Sequence, residues 1–144
     1  MSITFRNLIL SDYDAVIALW QSAEGVGLSS ADAREAIGRY LARNPGMSFT
    51  AWDGDELVGA VLCGHDGRRG YVHHLAVCPS HRRRGVGSEL AERGLAALEA
   101  EGIEKCHLFV FVHNADAIAF WERAGWTLRT DVRVMSRYTR DSRR

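Results

Sequence analysis

Apolar positions along this chain follow two rhythms, one of strands and one of helices. Ile3 and Phe5 alternate with polar neighbours and predict an opening strand. Tyr13, Val16, Ile17 and Trp20 then recur at helical spacing, which predicts a helix over about residues 12–24, with Ser11 as N-cap and Asp14 in the capping-box position. A glycine- and serine-bearing connection, residues 24–30, leads to a second helix with Ala33, Ile37, Tyr40 and Leu41 on one face, stopped by Asn44, Pro45 and Gly46. Residues 47–52 predict a strand, and residues 53–55 a tight turn. Residues 56–64 are almost continuously apolar, the pattern of a central strand covered on both faces. A turn at 66–70 leads to a strand at 71–77. A further helix, with Val86, Leu90, Gly94 and Ala97 inward, ends near Gly102. Residues 106–112 are aromatic and β-branched and predict a strand. Asn114 opens a helix whose stripe is Ala117, Phe120, Trp121 and Ala124, and Gly125 stops it. Residues 126–129 and 132–137 predict a closing pair of strands.

The resulting order, β-α-α-β-β-β-α-β-α-β-β, is a mixed α/β arrangement in one domain, residues 1–138, with a charged tail at 139–144. Composition adds mainly exclusions. Eighteen basic and eighteen acidic residues cancel, which argues against a dedicated nucleic-acid binder. No run of about 18 apolar residues predicts a membrane span, and the opening residues lack the pattern of a signal peptide. Cys63, Cys78 and Cys106 are odd in number and lack CxxC spacing, so they read as reduced thiols of a cytoplasmic protein. The histidines have no metal-ligand spacing with cysteines or carboxylates; no metal is expected, and His65, His81, His107 and His113 read as ordinary strand and loop residues.

The chemistry concentrates in residues 71–88, YVHHLAVCPSHRRRGVGS. Gly85 and Gly87 allow the backbone to approach a ligand closely. The helix beginning there presents free N–H groups and the positive end of its dipole, and Arg82, Arg83 and Arg84 add charge. Together they form a cradle suited to a diphosphate. The turn has neither the spacing of a dinucleotide fingerprint nor the Gly-Lys-Ser/Thr ending of a P-loop. It has R-x-x-G-x-G after a strand ending Leu75, Ala76, Val77, and this resembles the acetyl-CoA-binding motif of the GNAT superfamily of acyl-CoA-dependent N-acetyltransferases. Residues 114–126, from Asn114 through Ala117 and Phe120 to Gly125 and Trp126, resemble the second signature of that family. The resemblance is strongest over residues 56–126.

It implies a central mixed, mostly antiparallel sheet of about six or seven strands with about four helices, whose strands 71–77 and 106–112 splay apart to hold the thioester. It implies acetyl-CoA as co-substrate. Leu75 and Val77 would pair with the pantetheine arm, residues Arg82 to Ser88, with Val86 and Gly87 among them, would hold the pyrophosphate, Asn114 would hydrogen-bond the pantetheine or thioester side, and Ala117 and Phe120 would line the channel. The Val77 N–H is the implied oxyanion donor. Asn114 also reads as a helix N-cap and Phe120 as core.

The implied reaction is attack of an amine on a thioester. An alkylammonium of pKa ~10.4 leaves only about one molecule in a thousand neutral at physiological pH, so a base is needed. His73 and His74 are adjacent on one strand and are expected to face opposite sides. His73 shares parity with Leu75 and Val77, falls where members of the family carry a Glu or His base, and is read as the base; His74, Glu24, a water chain or no base at all are the alternatives. Trp121 stands where the family pattern has a tyrosine that protonates the leaving thiolate, and an indole N–H cannot act as an acid at neutral pH. The expected protein is therefore an N-acetyltransferase acting on a small-molecule or peptide amine, monomeric or homodimeric, with a non-catalytic acyl-CoA-binding module as the alternative. Trp20 and residues 24–30 could border the acceptor.

Overall fold

A computed structural model describes residues 2–140. Its strands are β1 (Thr4–Asn7), β2 (Phe49–Asp53), β3 (Glu56–His65), β4 (Gly70–Val77) and β5 (Cys106–Leu108); its helices are α1 (Tyr13–Ser22), α2 (Arg34–Arg43), α3 (Val86–Ala100) and α4 (Ala115–Arg123). The strands form one sheet in the order β1-β2-β3-β4-β5. The first four are antiparallel neighbours, and β5 lies parallel to β4 after the α3 crossover. This is the mixed α/β fold expected, built on five strands among the described residues.

The two faces of the sheet explain the sequence pattern. On one face Leu90 and Leu98 of α3 pack with Val58, Val61, Cys63 and Val72. On the other, Val16, Leu19 and Trp20 of α1 and Ile37 of α2 pack with Ala60, Leu62 and Ala76. β3 contributes to both, so its residues 58–64 are all buried and read as a continuous apolar run. Removing one fully buried leucine such as Leu90 would cost about 2–5 kcal/mol in lost transfer energy and cavity formation.

Three element boundaries differ from expectation. Ser11 does not cap α1. A single 3-10 turn, Leu10–Asp12, precedes the helix, and Asp12 Oδ2 accepts the Ile9 N–H at 3.2 Å. The carboxylate two residues earlier than Asp14 takes the capping work because the chain enters by this extra turn. Residues 109–112 leave the sheet after Leu108. Residues 126–129 and 132–137 form no strand. Strand propensity states that a segment fits a sheet, and these segments have no described strand edge laid against them. Of the expected tail at 139–144, residues 141–144 lie outside the described residues.

Candidate active site

β4 and β5 pair only at Gly70–Cys106, Tyr71–His107 and Val72–Leu108. β4 continues to Val77, while the chain beyond Leu108 departs from it, so the two strands open like a wedge past Val72. The Cys78 N–H is given to the Val58 carbonyl at 2.8 Å. Alternation along the strand therefore turns the amides of Leu75 and Val77 away from β3, toward the open side. The Val77 carbonyl accepts from Arg82 Nε at 3.2 Å.

The arginine turn is fixed from below. His81, which sequence analysis reads as an ordinary loop residue, is buried and donates from Nε2 to Asp53 Oδ2 at 2.9 Å, with Ser80 Oγ 2.7 Å from its Nδ1. The turn is thus pinned to the β2–β3 hairpin. Above it Arg82, Arg83 and Arg84 are exposed. Arg83 (φ 63°) and Gly85 (φ 80°) both lie in the left-handed region, which curls successive N–H groups toward one point. Gly85 is the N-cap of α3. Gly87 and Ser88 lie in the first turn. Val86 is buried in the core cluster, so only its backbone faces the cradle.

Both histidines of β4 sit on the α1/α2 face, which corrects the parity expectation. The register passes from Leu62–His73 to Ala60–Ala76, so His74 and Leu75 together oppose Val61 in a β-bulge. His74 takes the left-handed conformation, φ 54°, uncommon for a residue with a side chain. The extra residue reverses the alternation: Leu75 and Val77 turn to the α3 cluster, while His73 and His74 remain together, ring centroids 6.1 Å apart. His73 lies just past the last β4–β5 pair, stacked on Tyr71 (6.1 Å) and Phe109 (6.2 Å) and edge-on to Tyr40. Burial, with a smaller contribution from His74, lowers its pKa below the ordinary histidine value.

His74 donates from Nε2 to Asp32 Oδ1 at 2.8 Å. Asp32 is 6% exposed, its Oδ2 accepts the Ser29 N–H at 3.0 Å, and its carbonyl accepts from Tyr13 Oη at 2.7 Å. Trp20 lies edge-on to His74, its buried Nε1 without a partner among the described residues. Asp32 went unnoticed in the sequence, although its spacing from Ser29 is that of a capping box and was the available signal.

Across the wedge, Asn114 caps α4 by accepting the Ala117 N–H at Oδ1, 3.1 Å away. Its Nδ2 faces the α1–α2 connection, where a Cβ on Gly25 would stand 2.7 Å from it. Phe120 comes near Gly87 and Val77, since a Cβ on Gly87 would stand 3.5 Å from its ring and 3.6 Å from Val77. Phe120 thus stands beside the first turn of α3 that carries the cradle, and Asn114 beside the α1–α2 connection. Trp121 instead packs edge-on against Trp126 at 5.2 Å and joins the α3-side core.

An open wedge between parallel strands with an anion cradle at the start of the following helix defines an acyl-CoA transferase architecture. The family model described as Acetyltransferase (GNAT) family matches residues 13–126, and the chain belongs to that family. It is 35% identical over 112 residues to an acetyltransferase of Pectobacterium atrosepticum, spanning 78% of this chain and 79% of the relative. It is 31% identical over 105 residues to N-alpha-acetyltransferase 30 of Schizosaccharomyces pombe, spanning 66% and 70%. The structure of the PaiA N-acetyltransferase from Thermoplasma acidophilum in complex with coenzyme A superposes with a TM-score of 0.75 at 18% identity, over 90% of this chain and 92% of that one. The protein is an acetyl-CoA-dependent N-acetyltransferase of this family.

Proposed function

We propose that the amine attacks the thioester directly in the wedge past Val72 and Leu108, with His73 receiving its proton. The observation that carries this reading is the position of His73 at the apex of the opening, next to the turned-out amides of Leu75 and Val77. Burial favours its neutral form, the form that accepts a proton. The amine nitrogen bonds to the carbonyl carbon while its proton passes to His73 Nδ1 or Nε2. The oxyanion is stabilised by the Val77 N–H, and collapse releases the thiolate of coenzyme A. A thiol pKa near ~8.5 makes that group able to leave without an acid, in keeping with the packed indole of Trp121.

The turn Arg82–Ser88, with Gly85, Val86 and Gly87 offering backbone N–H groups, takes the pyrophosphate, and Asn114, Ala117 and Phe120 line the pantetheine channel. Direct attack is supported by the cysteines: burial raises the pKa of each, that of Cys63 to about 12, so none offers a thiolate for a covalent acetyl carrier. Three free thiols suit a reducing, cytoplasmic setting. The acceptor is a small-molecule or peptide amine that enters between residues 24–30 and Phe111, which meet at Gly27; Trp20, expected at this border, is fully buried in the core and does not line it.

The test is release of free thiol from acetyl-CoA with a panel of small amines and peptides. His73→Ala should lower kcat roughly 10²-fold with acetyl-CoA affinity unchanged. An unchanged kcat removes His73 from the role. Release with no amine in the panel, alongside tight coenzyme A binding, would favour a binding module instead.

A further inference from the structure

β4 changes phase between its two ends, and the change is what turns its last amides toward the wedge. The Gly70 N–H is given to the Lys105 carbonyl, on the β5 side, at 3.0 Å. Amides alternate in direction along a strand. In an unbroken β4 the even-numbered amides would therefore face β5, and those of Leu75 and Val77 would face β3. Yet the Cys78 N–H goes to the Val58 carbonyl of β3. One residue is inserted on the way, where His74 and Leu75 together oppose Val61. Without that insertion the Val77 N–H would be bonded within the sheet, with no donor left for a thioester oxygen.

The insertion sits at a residue whose backbone does not favour it. His74 has φ 54°, and a left-handed conformation at a residue with a side chain persists only where its surroundings over-determine it. Those surroundings are few and specific. His74 Nε2 donates to Asp32 Oδ1 at 2.8 Å, and the ring meets Trp20 edge-on at 5.0 Å. Asp32 is itself fixed, since its Oδ2 accepts the Ser29 N–H at 3.0 Å and its carbonyl accepts from Tyr13 Oη at 2.7 Å. It is buried, so little water competes for the bond to His74. One carboxylate thus ties the α1–α2 connection to the bulge of β4.

We propose that Asp32 is a positioning residue for the transfer reaction. Acting through His74, its carboxylate holds the bulge, and the bulge holds the Leu75 and Val77 amides outward beside His73. Loss of the bond frees His74 to relax toward extended backbone, which would turn those amides back toward β3. The role rests on the reading that the Leu75 and Val77 amides meet the pantetheine arm and the oxyanion. A donor misplaced by about 1 Å at a reacting centre can lower a rate ~10²-fold, so a bond remote from the chemistry can control it.

The test compares Asp32→Asn, Asp32→Ala, His74→Asn and His74→Val in the full chain, reading kcat, coenzyme A affinity by calorimetry and melting temperature. Asp32→Ala should lower kcat about 10–100-fold and weaken coenzyme A binding severalfold. Asp32→Asn still offers an oxygen to His74 and should recover most of both. Asparagine accepts left-handed backbone readily and valine does not, so His74→Asn should keep more rate and affinity than His74→Val, although both lose the bond. Adding Asp32→Ala to His74→Val should cost nothing further, because one acts through the other. Asp32→Ala with a lower melting temperature but parental kcat and coenzyme A affinity overturns the proposal, leaving Asp32 a structural role alone. So does His74→Asn falling as far as His74→Val, and that pair decides the matter if Asp32→Ala does not fold. Hydrogen exchange separates this from the reading beneath it. Coenzyme A should protect the Leu75 and Val77 amides of the parent. If it does not, the assignment of those amides fails and the role of Asp32 falls with it. If it does, and Asp32→Ala keeps both the protection and the rate, the role of Asp32 alone is lost.

Discussion

The two histidines of β4 differ in what surrounds them, and that difference decides their behaviour. His73 lies among Tyr71, Tyr40 and Phe109, where the loss of water, helped by the neighbouring His74, outweighs the opposing influence of the Asp32 carboxylate, so its pKa is lowered mainly by burial. Below the ordinary histidine value of ~6.5 the unfolded chain then binds a proton that the folded chain resists. This contribution to stability is fully present above ~6.5 and is lost as pH falls toward the lower folded value. The acid limb of kcat/KM should accordingly lie below ~6.5 and vanish in His73→Ala; a limb above that value would assign the titration to another group. His74 has a carboxylate instead. Asp32→Ala would strand the His74 N–H and the Ser29 N–H together, at about 1–3 kcal/mol for each unpaired group. Chemical denaturation should register a loss in that range for Asp32→Ala and a smaller one for Asp32→Asn, whose carbonyl oxygen still accepts. Equal losses would show that the charge, not the hydrogen bonds, matters.

At the scale of elements, what the sequence disclosed and what it hid follow from the kind of signal each element leaves. β3 was legible because burial on both faces leaves an unbroken apolar run, and α4 because Asn114 and Gly125 mark its ends. The cradle was legible because its glycine and arginine spacing is local. The bulge at His74 was not. A single inserted residue leaves no trace in composition, yet it reverses the facing of Leu75 and Val77 and puts both histidines on one side. The capping-box spacing from Ser29 marks Asp32 as a local cap, but its pairing with His74, 42 positions away, leaves no local pattern. The strand at 106–112 was overextended because propensity cannot report the absence of a neighbour. The α1–α2 connection also acts through contact across the opening. Gly25→Ala would place a methyl 2.7 Å from Asn114 Nδ2, inside contact distance, and must push residues 24–30 or α4 aside. The expected result is a severalfold higher KM for the amine with acetyl-CoA affinity nearly unchanged. An unaltered amine KM would mean that the connection does not border the acceptor.

Across the whole molecule, formal charge is zero while the arginine turn is locally cationic, so the anion must be recognised by local geometry rather than by a general field. A ligand that binds only the folded state at one hundred times its dissociation constant stabilises it by about 2.7 kcal/mol. For a domain of this size that corresponds to a rise in melting temperature of about 5–10 °C with saturating coenzyme A. Gly85 is where this can be interrupted. It occupies the left-handed region as the N-cap of α3, and a Cβ built there would meet no atom within 4 Å, so a side chain would be strained in backbone conformation but free of collision. Gly85→Ala should therefore lower the melting temperature of the free protein slightly and retain most of the coenzyme A shift. Gly85→Asp carries the same strain plus a negative charge in the cradle, and the shift should disappear. Comparing the two variants, each with and without coenzyme A, separates strain from charge. If Gly85→Asp keeps the full shift, the pyrophosphate does not sit on this turn. If Gly85→Ala loses the shift as completely as Gly85→Asp does, the left-handed backbone itself, rather than the charge, is what the cofactor requires.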